Sequence, residues 1–188
     1  VINERNNKAN EAKEKLKNAN ISNNDAEKYQ KQSVHLKKYH IEDIKKLLDM
    51  LGVQYIDADG EAEGVAAELC RVGLIDYVIS EDMDTLAFGS PKLIRNCIDK
   101  TIKRRTDVVS IFDLDLILKG LNCNFEEFLD LCVLSGCDYC TTLKRVGNKT
   151  ALKLINAHHN IEELLKNVNS NKIPEGYLEK HNRAKELF

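Results

Sequence analysis

Residues 53–96 read VQYIDADGEAEGVAAELCRVGLIDYVISEDMDTLAFGSPKLIRN, and the switching of short apolar runs with helical periodicity inside this stretch decides the fold class. The run 53–58 predicts a strand. Val65, Ala66, Leu69 and Val72 then share one face of a helix over 61–72, and Gly73 stops it. A second strand is predicted over 75–80, a short helix over 82–88, and further strands over 92–97 and 108–112. Strands alternating with helices imply an α/β fold whose mainly parallel sheet is flanked by helices.

Upstream, Ile41, Ile44, Leu48 and Leu51 recur at helical spacing before Gly52. Residues 1–40 are rich in Asn, Lys, Glu and Gln, and only Ala9, Ala12, Leu16 and Ala19 make a thin apolar stripe. That composition predicts a marginal, exposed helical segment, split into two arms by the loop NANISNND at 18–25. Downstream of Asp113 the pattern turns helical, over 114–118, 125–134, 150–157, 161–168 and 175–187. Three regions follow: 1–40, a 41–135 core, and a helical 136–188.

At 188 residues, 43% hydrophobic and 31% charged, the composition is that of a globular domain, and no apolar run approaches the length needed to span a bilayer. The sequence opens on Val1 without a secretory signal and is expected to be an internal fragment. Cys70, Cys97, Cys123, Cys132, Cys137 and Cys140 lie largely in apolar runs, as free thiols of a reducing compartment do. Cys137 and Cys140 form a C-x-x-C, but a structural zinc site wants a second close pair. His35, His40, His158, His159 and His181 have no metal-ligand spacing. A net charge of −2 gives no global pull toward nucleic acid, yet bases cluster at Lys37–Lys38, at 103–105 and at Lys144, Arg145, Lys149 and Lys153, while acids gather over 57–84. Positive edges around a negative centre suit a phosphate track past a metal, although each run also reads as solvated surface.

Glu61-Ala62-Glu63 and Asp82-Met83-Asp84 each follow a predicted strand. Residues two apart on a helix face opposite ways, so each pair converges only across the turn that starts its helix. Asp138, two residues beyond Gly136, is placed to bring a fifth carboxylate from the helical region. Acids at helix starts also serve as caps. Spacing alone therefore leaves capping and a metal site both open, with phosphoryl transfer, phosphoester hydrolysis and phosphatase chemistry as readings of the latter.

YIDADGEAEG (55–64), SEDMDTLAFGSPKLIRN (80–96) and LDLCVLSGCDYC (129–140) together resemble the flap endonucleases of the structure-specific 5′ nuclease superfamily. The resemblance runs from about residue 28 to the end and more loosely before it. It implies that Glu61, Glu63, Asp82, Asp84 and Asp138 are metal ligands in a two-metal hydrolysis of phosphodiesters by Mg²⁺, with Mn²⁺ as a substitute. Family members carry two more such acids upstream, before Val1 here, so this stretch is expected to be catalytically incomplete alone. Residues 1–40 resemble part of the helical arch, with Arg5 as the arch residue on the scissile phosphate and Lys8 a weaker candidate.

Residues 138–155, DYCTTLKRVGNKTALKLI, resemble the helix-two-turn-helix that grips duplex DNA. The resemblance assigns DNA contacts to Lys144, Arg145, Gly147, Lys149 and Lys153, and K⁺ binding to Thr142, Leu143 and Val146. Where the family hairpin reads G-I-G-P-K, Arg145 replaces the first Gly and Asn148 the Pro. The resemblance further implies flapped or branched DNA as partner, a sliding clamp bound through a segment outside this chain, a monomer, and a nuclear location. An exonuclease-type or repair-incision relative, and a non-catalytic DNA-binding module, are the alternatives. Lys103–Arg105 reads equally as a DNA contact or a polar turn.

Overall fold

The computed structural model describes residues 2–17, 22–34, 37–96 and 109–188, with the side chains of 2–6, 23 and 24 excepted. Arg5's side chain, Cys97, Lys103–Arg105 and Val108 therefore lie outside the described residues. The chain forms two compact units, 1–57 and 58–188.

In the first unit, α1 (Ile2–Leu16) packs on α2 (Asn23–Gln32). Ala9 and Ala12 of the predicted stripe are buried against that contact, where small side chains let two helices approach. Ser22 caps α2 by accepting the Asp25 N–H at 3.2 Å. α3 (Lys38–Leu51) ends at Gly52, whose left-handed φ of 68° closes the last turn as the spacing predicts. Its Ile41, Ile44 and Leu47 are exposed.

The second unit runs α4 (Ala62–Arg71), β1 (Val78–Ile79), α5 (Asp84–Ala87), β2 (Lys92–Arg95), β3 (Ser110–Asp113), α6 (Leu114–Leu121), α7 (Phe125–Ser135), α8 (Asn148–His158), α9 (Ile161–Asn167), a 3₁₀ turn (Ser170–Lys172) and α10 (Tyr177–Lys185). It is a helix-rich α/β fold. Its sheet differs from the mainly parallel one predicted: β1 pairs with β2 in parallel, but β2 pairs with β3 antiparallel, Leu93 opposite Phe112 and Ile94 opposite Ile111. The β1-to-β2 connection passes through α5, the kind of crossover that parallel pairing requires, whereas β3 runs back along β2 into α6. The predicted strand over 53–58 joins no ladder among the described residues; its backbone runs with Val53, Tyr55 and Ile56 exposed, and a strand exists only where a neighbour takes its N–H and C=O groups.

Two hydrophobic clusters fill the unit. One gathers Cys70, Val78, Leu86, Leu93, Leu114 and Phe128. The other gathers Leu131, Val133, Leu134, Leu143, Ile155, Leu164 and Tyr177 with their neighbours. α7 contributes to both, and seven of its eleven residues are buried, as expected of a helix apolar nearly all round. It starts with a reciprocal cap: Asn124 Oδ1 accepts the Glu127 N–H at 2.9 Å and Glu127 Oε2 accepts the Asn124 N–H at 2.8 Å. The other Glu127 oxygen meets His159 Nδ1 at 2.7 Å, fastening the end of α8 to the start of α7.

A buried polar network joins α7 to α10. Asp130 Oδ1 lies 3.0 Å from His181 Nε2 and 3.0 Å from Lys185 Nζ, which also reaches Glu126 Oε2 at 3.0 Å. Burial pushes the Asp130 carboxyl up, but the hydrogen bonds from His181 and Lys185 outweigh it and hold the group below its ordinary range. Asp130→Ala strands a fully buried His181 and is expected to cost about 3–5 kcal/mol. Since the folded state binds this proton more weakly than the unfolded chain, the contribution is full above the ordinary Asp value of 3.8 and is lost as pH falls through the lower folded value. Urea denaturation of wild type and variant should show a wide gap at neutral pH that narrows in acid; a gap under about 1 kcal/mol at neutral pH contradicts the network's role.

Candidate metal centre and nucleic-acid surface

Each acid pair sits at a helix start, as the spacing requires. Glu61 is the residue before α4, with extended backbone and no capping bond from its side chain, and Glu63 lies in the first turn. Because Glu61 caps nothing, its carboxylate is free to meet Tyr139, whose hydroxyl donates to Glu61 Oε1 at 3.3 Å. Asp82 and Asp84 bracket the start of α5. Ser80 Oγ accepts the Asp82 N–H at 3.0 Å, Asp82 Oδ1 accepts the Asp84 N–H at 3.0 Å, and Thr85 Oγ1 donates to the Asp82 carbonyl at 2.9 Å. One Asp82 oxygen thus does the work of a turn while the carboxylate still adds charge to the cluster.

Close packing brings the two helix starts together. A Cβ on Gly64 of α4 would stand 3.2 Å from the Phe88 ring, a tight contact, so glycine eases the approach of Phe88 at the end of α5. Phe88 meets Phe188 edge-on at 5.2 Å between centroids, and Phe188 meets Tyr139 in the same way at 5.7 Å. On the third side, α7 ends at Gly136, whose φ of 113° and 3.1 Å approach to the Thr142 methyl exclude a side chain. Residues 137–140 then fold back through a bridge between Cys137 and Cys140, carrying Asp138 and Tyr139 at the tip.

The electrostatics report the convergence. The Asp84 carboxyl is raised above its ordinary value, first by partial burial and then by the charges of Asp82, Asp138 and Glu63. Cys132, on the face of α7 behind the site, is pushed up to about 12 by burial and by Asp84. Tyr139 is raised by burial and then by Glu61, with Asp84 and Asp138 adding to it. The charges of Asp82, Asp138 and Glu63 thus reach Asp84, and Glu61 meets the same locality through Tyr139. Tyr139 itself and the Ser80 turn escaped the sequence reading; the position of Tyr139 directly after Asp138 is the one signal that pointed to it.

Mutually repelling carboxylates are a donor set for a hard cation. Among the described residues no three or more His, Cys, Asp or Glu side chains stand together closely enough to hold a metal ion by themselves. Mg²⁺ does not need such a group, because it keeps several waters and commonly uses one or two carboxylates together with substrate oxygens. The donors fit such an ion in chemistry and in charge.

The basic surface lies around the start of α8. Lys144, Arg145, Lys149 and Lys153 are all exposed, with Ala151 and Ile155 turned inward to the core. Gly147 precedes α8 in extended conformation and supplies no side-chain cap, leaving the first N–H groups of the helix open toward an anion. The Lys144 N–H donates to the Lys172 carbonyl at 3.0 Å, tying this turn to the 3₁₀ segment. Arg145 occupies left-handed backbone, φ 59°, where the family hairpin has glycine. The turn carries the strain of a side chain in that conformation. Of the residues assigned to K⁺, Leu143 and Val146 are buried, and the Leu143 carbonyl accepts the Val146 N–H at 3.2 Å.

Residues 52–138 match the family described as the XPG I-region. The chain is 43% identical over 176 residues to a protein named flap endonuclease 1 of Cryptosporidium parvum, a match covering 87% of this chain and 36% of that protein. It is 41% identical over 182 residues to flap endonuclease 1-B of Physcomitrium patens, covering 95% of this chain and 51% of that protein. The chain thus spans about half or less of the length of these curated relatives. Among solved structures, the flap endonuclease-1 of Methanococcus jannaschii superposes with a TM-score of 0.65 at 24% identity over 87% of this chain and 48% of that one, a likeness of fold. The catalytic core of Rad2 in complex with DNA substrate gives 0.64 at 28% identity, over 81% of this chain and 50% of that one.

Because the folded state holds the Asp84 proton more tightly than the unfolded chain does, metal-free protein loses stability as pH rises from the ordinary 3.8 through the raised folded value. Asp84→Asn cannot ionise and escapes that loss. Metal-free melting curves should show the variant above wild type at neutral pH, with the gap closing in acid; a variant that melts lower at neutral pH contradicts the mutual repulsion. Separately, Arg145→Gly should stabilise the unit by about 1 kcal/mol by relieving left-handed strain, read by urea denaturation, and a loss of stability would contradict the strain.

Proposed function

This chain belongs to the flap endonucleases of the structure-specific nuclease family, and from that premise we propose that the polypeptide containing it cuts 5′ flaps in DNA during replication and repair, at the carboxylate centre. The observation that carries the reading is the convergence on Asp84 of charge from Glu63, Asp82 and Asp138, which come from three separate parts of the fold.

In this reading Glu61, Glu63, Asp82, Asp84 and Asp138 hold two divalent ions, Mg²⁺ or Mn²⁺. The chemistry supplied by such a pair is polarisation of the scissile phosphate and activation of a water at neutral pH. Tyr139 steadies Glu61 through its hydroxyl, and the Ser80 and Asp84 turn contacts fix Asp82. Arg5 supplies positive charge to the scissile phosphate from a helical arch over 1–40. Duplex DNA lies against a helix-two-turn-helix formed by α7, the following loop and α8, held by Lys144, Arg145, Lys149, Lys153 and the backbone at Gly147, with K⁺ between the carbonyls or hydroxyl of Thr142, Leu143 and Val146. Family resemblance assigns seven acids to a complete site, so full activity is proposed for a polypeptide that carries the remaining two. The same reading makes it a nuclear monomer that meets a sliding clamp through another segment.

The test is Mg²⁺-dependent cleavage of flap, nicked and single-stranded DNA by a polypeptide carrying all seven acids. Asp84→Asn should bind flap DNA as wild type does and cut it at least about a hundredfold more slowly. Wild-type rates in the variant would remove Asp84 from the site. Products shortened one nucleotide at a time would favour an exonuclease, and tight binding without any cleavage a non-catalytic module.

A further inference from the structure

Beside the carboxylate centre lies a second feature that the nuclease reading does not use. An open groove of about 460 Å³ runs between Tyr139 and α10, lined by Tyr139, Lys180, Arg183, Ala184, Glu186 and Leu187. Its wall is shared with the metal centre, because the hydroxyl of the same Tyr139 reaches Glu61. We infer that this groove is a phosphate subsite, in which Lys180 and Arg183 hold a backbone phosphate of the nucleic-acid strand whose neighbouring nucleotides occupy the carboxylate centre.

Three observations support it. The first is charge. Some cations of this unit are neutralised in place, Arg71 by Glu68, Lys166 by Glu163 and Lys185 by Asp130 and Glu126, while those of the α8 surface, like the two of this groove, stand without an ion pair among the described residues. Lys180 donates only to the Glu175 carbonyl, at 3.2 Å, and neither it nor Arg183 enters an ion pair among the described residues. Two exposed cations thus stand one ring away from a cluster of carboxylates, and a polyanion bound at that cluster must be drawn in by charge of the opposite sign nearby. The second is rigidity. Tyr177, His181 and Ala184 are buried along the inner face of α10, and His181 and Lys185 are fastened to Asp130, so Lys180 and Arg183 project from a helix that cannot roll. The third is the shape and polarity of the groove. It is open and bordered by charge, a place for a solvated phosphodiester rather than an enclosed apolar ligand. Glu186 on the same rim opposes a second phosphate and limits the subsite to one.

The inference rests on the nuclease reading only in naming the ligand, and the two fail differently. Fluorescein-labelled flap DNA, and the matching duplex without a flap, are titrated with this chain in EDTA, where no cleavage occurs, at several salt concentrations. Lys180→Ala and Arg183→Ala should each weaken binding by roughly three- to tenfold and lower the slope of log K against log salt by about 0.7–0.9. Glu186→Gln should tighten binding, a change of sign that misfolding does not produce. Wild-type affinity and slope in a folded K180A/R183A double variant, or an unaltered affinity in E186Q, would overturn the subsite and leave the nuclease reading standing. A wild-type chain with no affinity for either DNA would likewise overturn the subsite, whereas the nuclease reading falls only if the polypeptide carrying all seven acids fails to cut.

Discussion

The burial of α7 is the constraint on which the second unit depends. A helix apolar nearly all round has no stable place at a surface, so the sheet with α4 to α6 closes over one side of it and α8 to α10 over the other. Its two ends are then fixed, by the Asn124–Glu127 cap with His159 at the start and by Gly136 at a positive φ of 113° at the finish. Asp130, in the middle, is a carboxylate that this burial would make costly, and His181 and Lys185 answer it.

That rigidity makes the acidic centre tolerable. The charges of Glu63, Asp82 and Asp138 oppose ionisation of Asp84, and a loosely packed chain would relieve that repulsion by moving Asp84 away from them. Here the approach of Phe88 to Gly64 holds α4 and α5 together, Leu86 anchors α5 in the core, and the fold-back at 137–140 fixes Asp138. The hydrophobic contacts hold like charges in place, and under the proposed function a divalent cation is what offsets them.

Much of this was legible in the sequence because it lies in local patterns. The spacing of Ile41, Ile44, Leu48 and Leu51 before Gly52 gave α3, and the acid-x-acid pairs marked both helix starts. What periodicity does not carry is pairing between distant segments. Residues 53–58 have the apolar run of a strand yet no ladder, and β3 has the same composition whichever way it runs along β2. The Asp130–His181 contact joins residues 51 apart, and Tyr139 reaches back 78 residues to Glu61. The histidine had no spacing to distinguish it from a surface residue, and it became a core residue only through α10. The departure at Arg145 was visible, but only the backbone at φ 59° says that the turn accommodates it at a cost in strain.

The central claim is that acids from three parts of the fold form one cation site. Paramagnetic broadening tests it most directly: Mn²⁺ is added in small amounts to the isotope-labelled chain and the amide signals are followed residue by residue. The account predicts that Glu63, Asp84 and Asp138 broaden together, with one common dependence on Mn²⁺, before the other acids do. Broadening that begins at acids elsewhere, such as Asp113 and Asp115, or that separates Asp138 from Asp84, would contradict it.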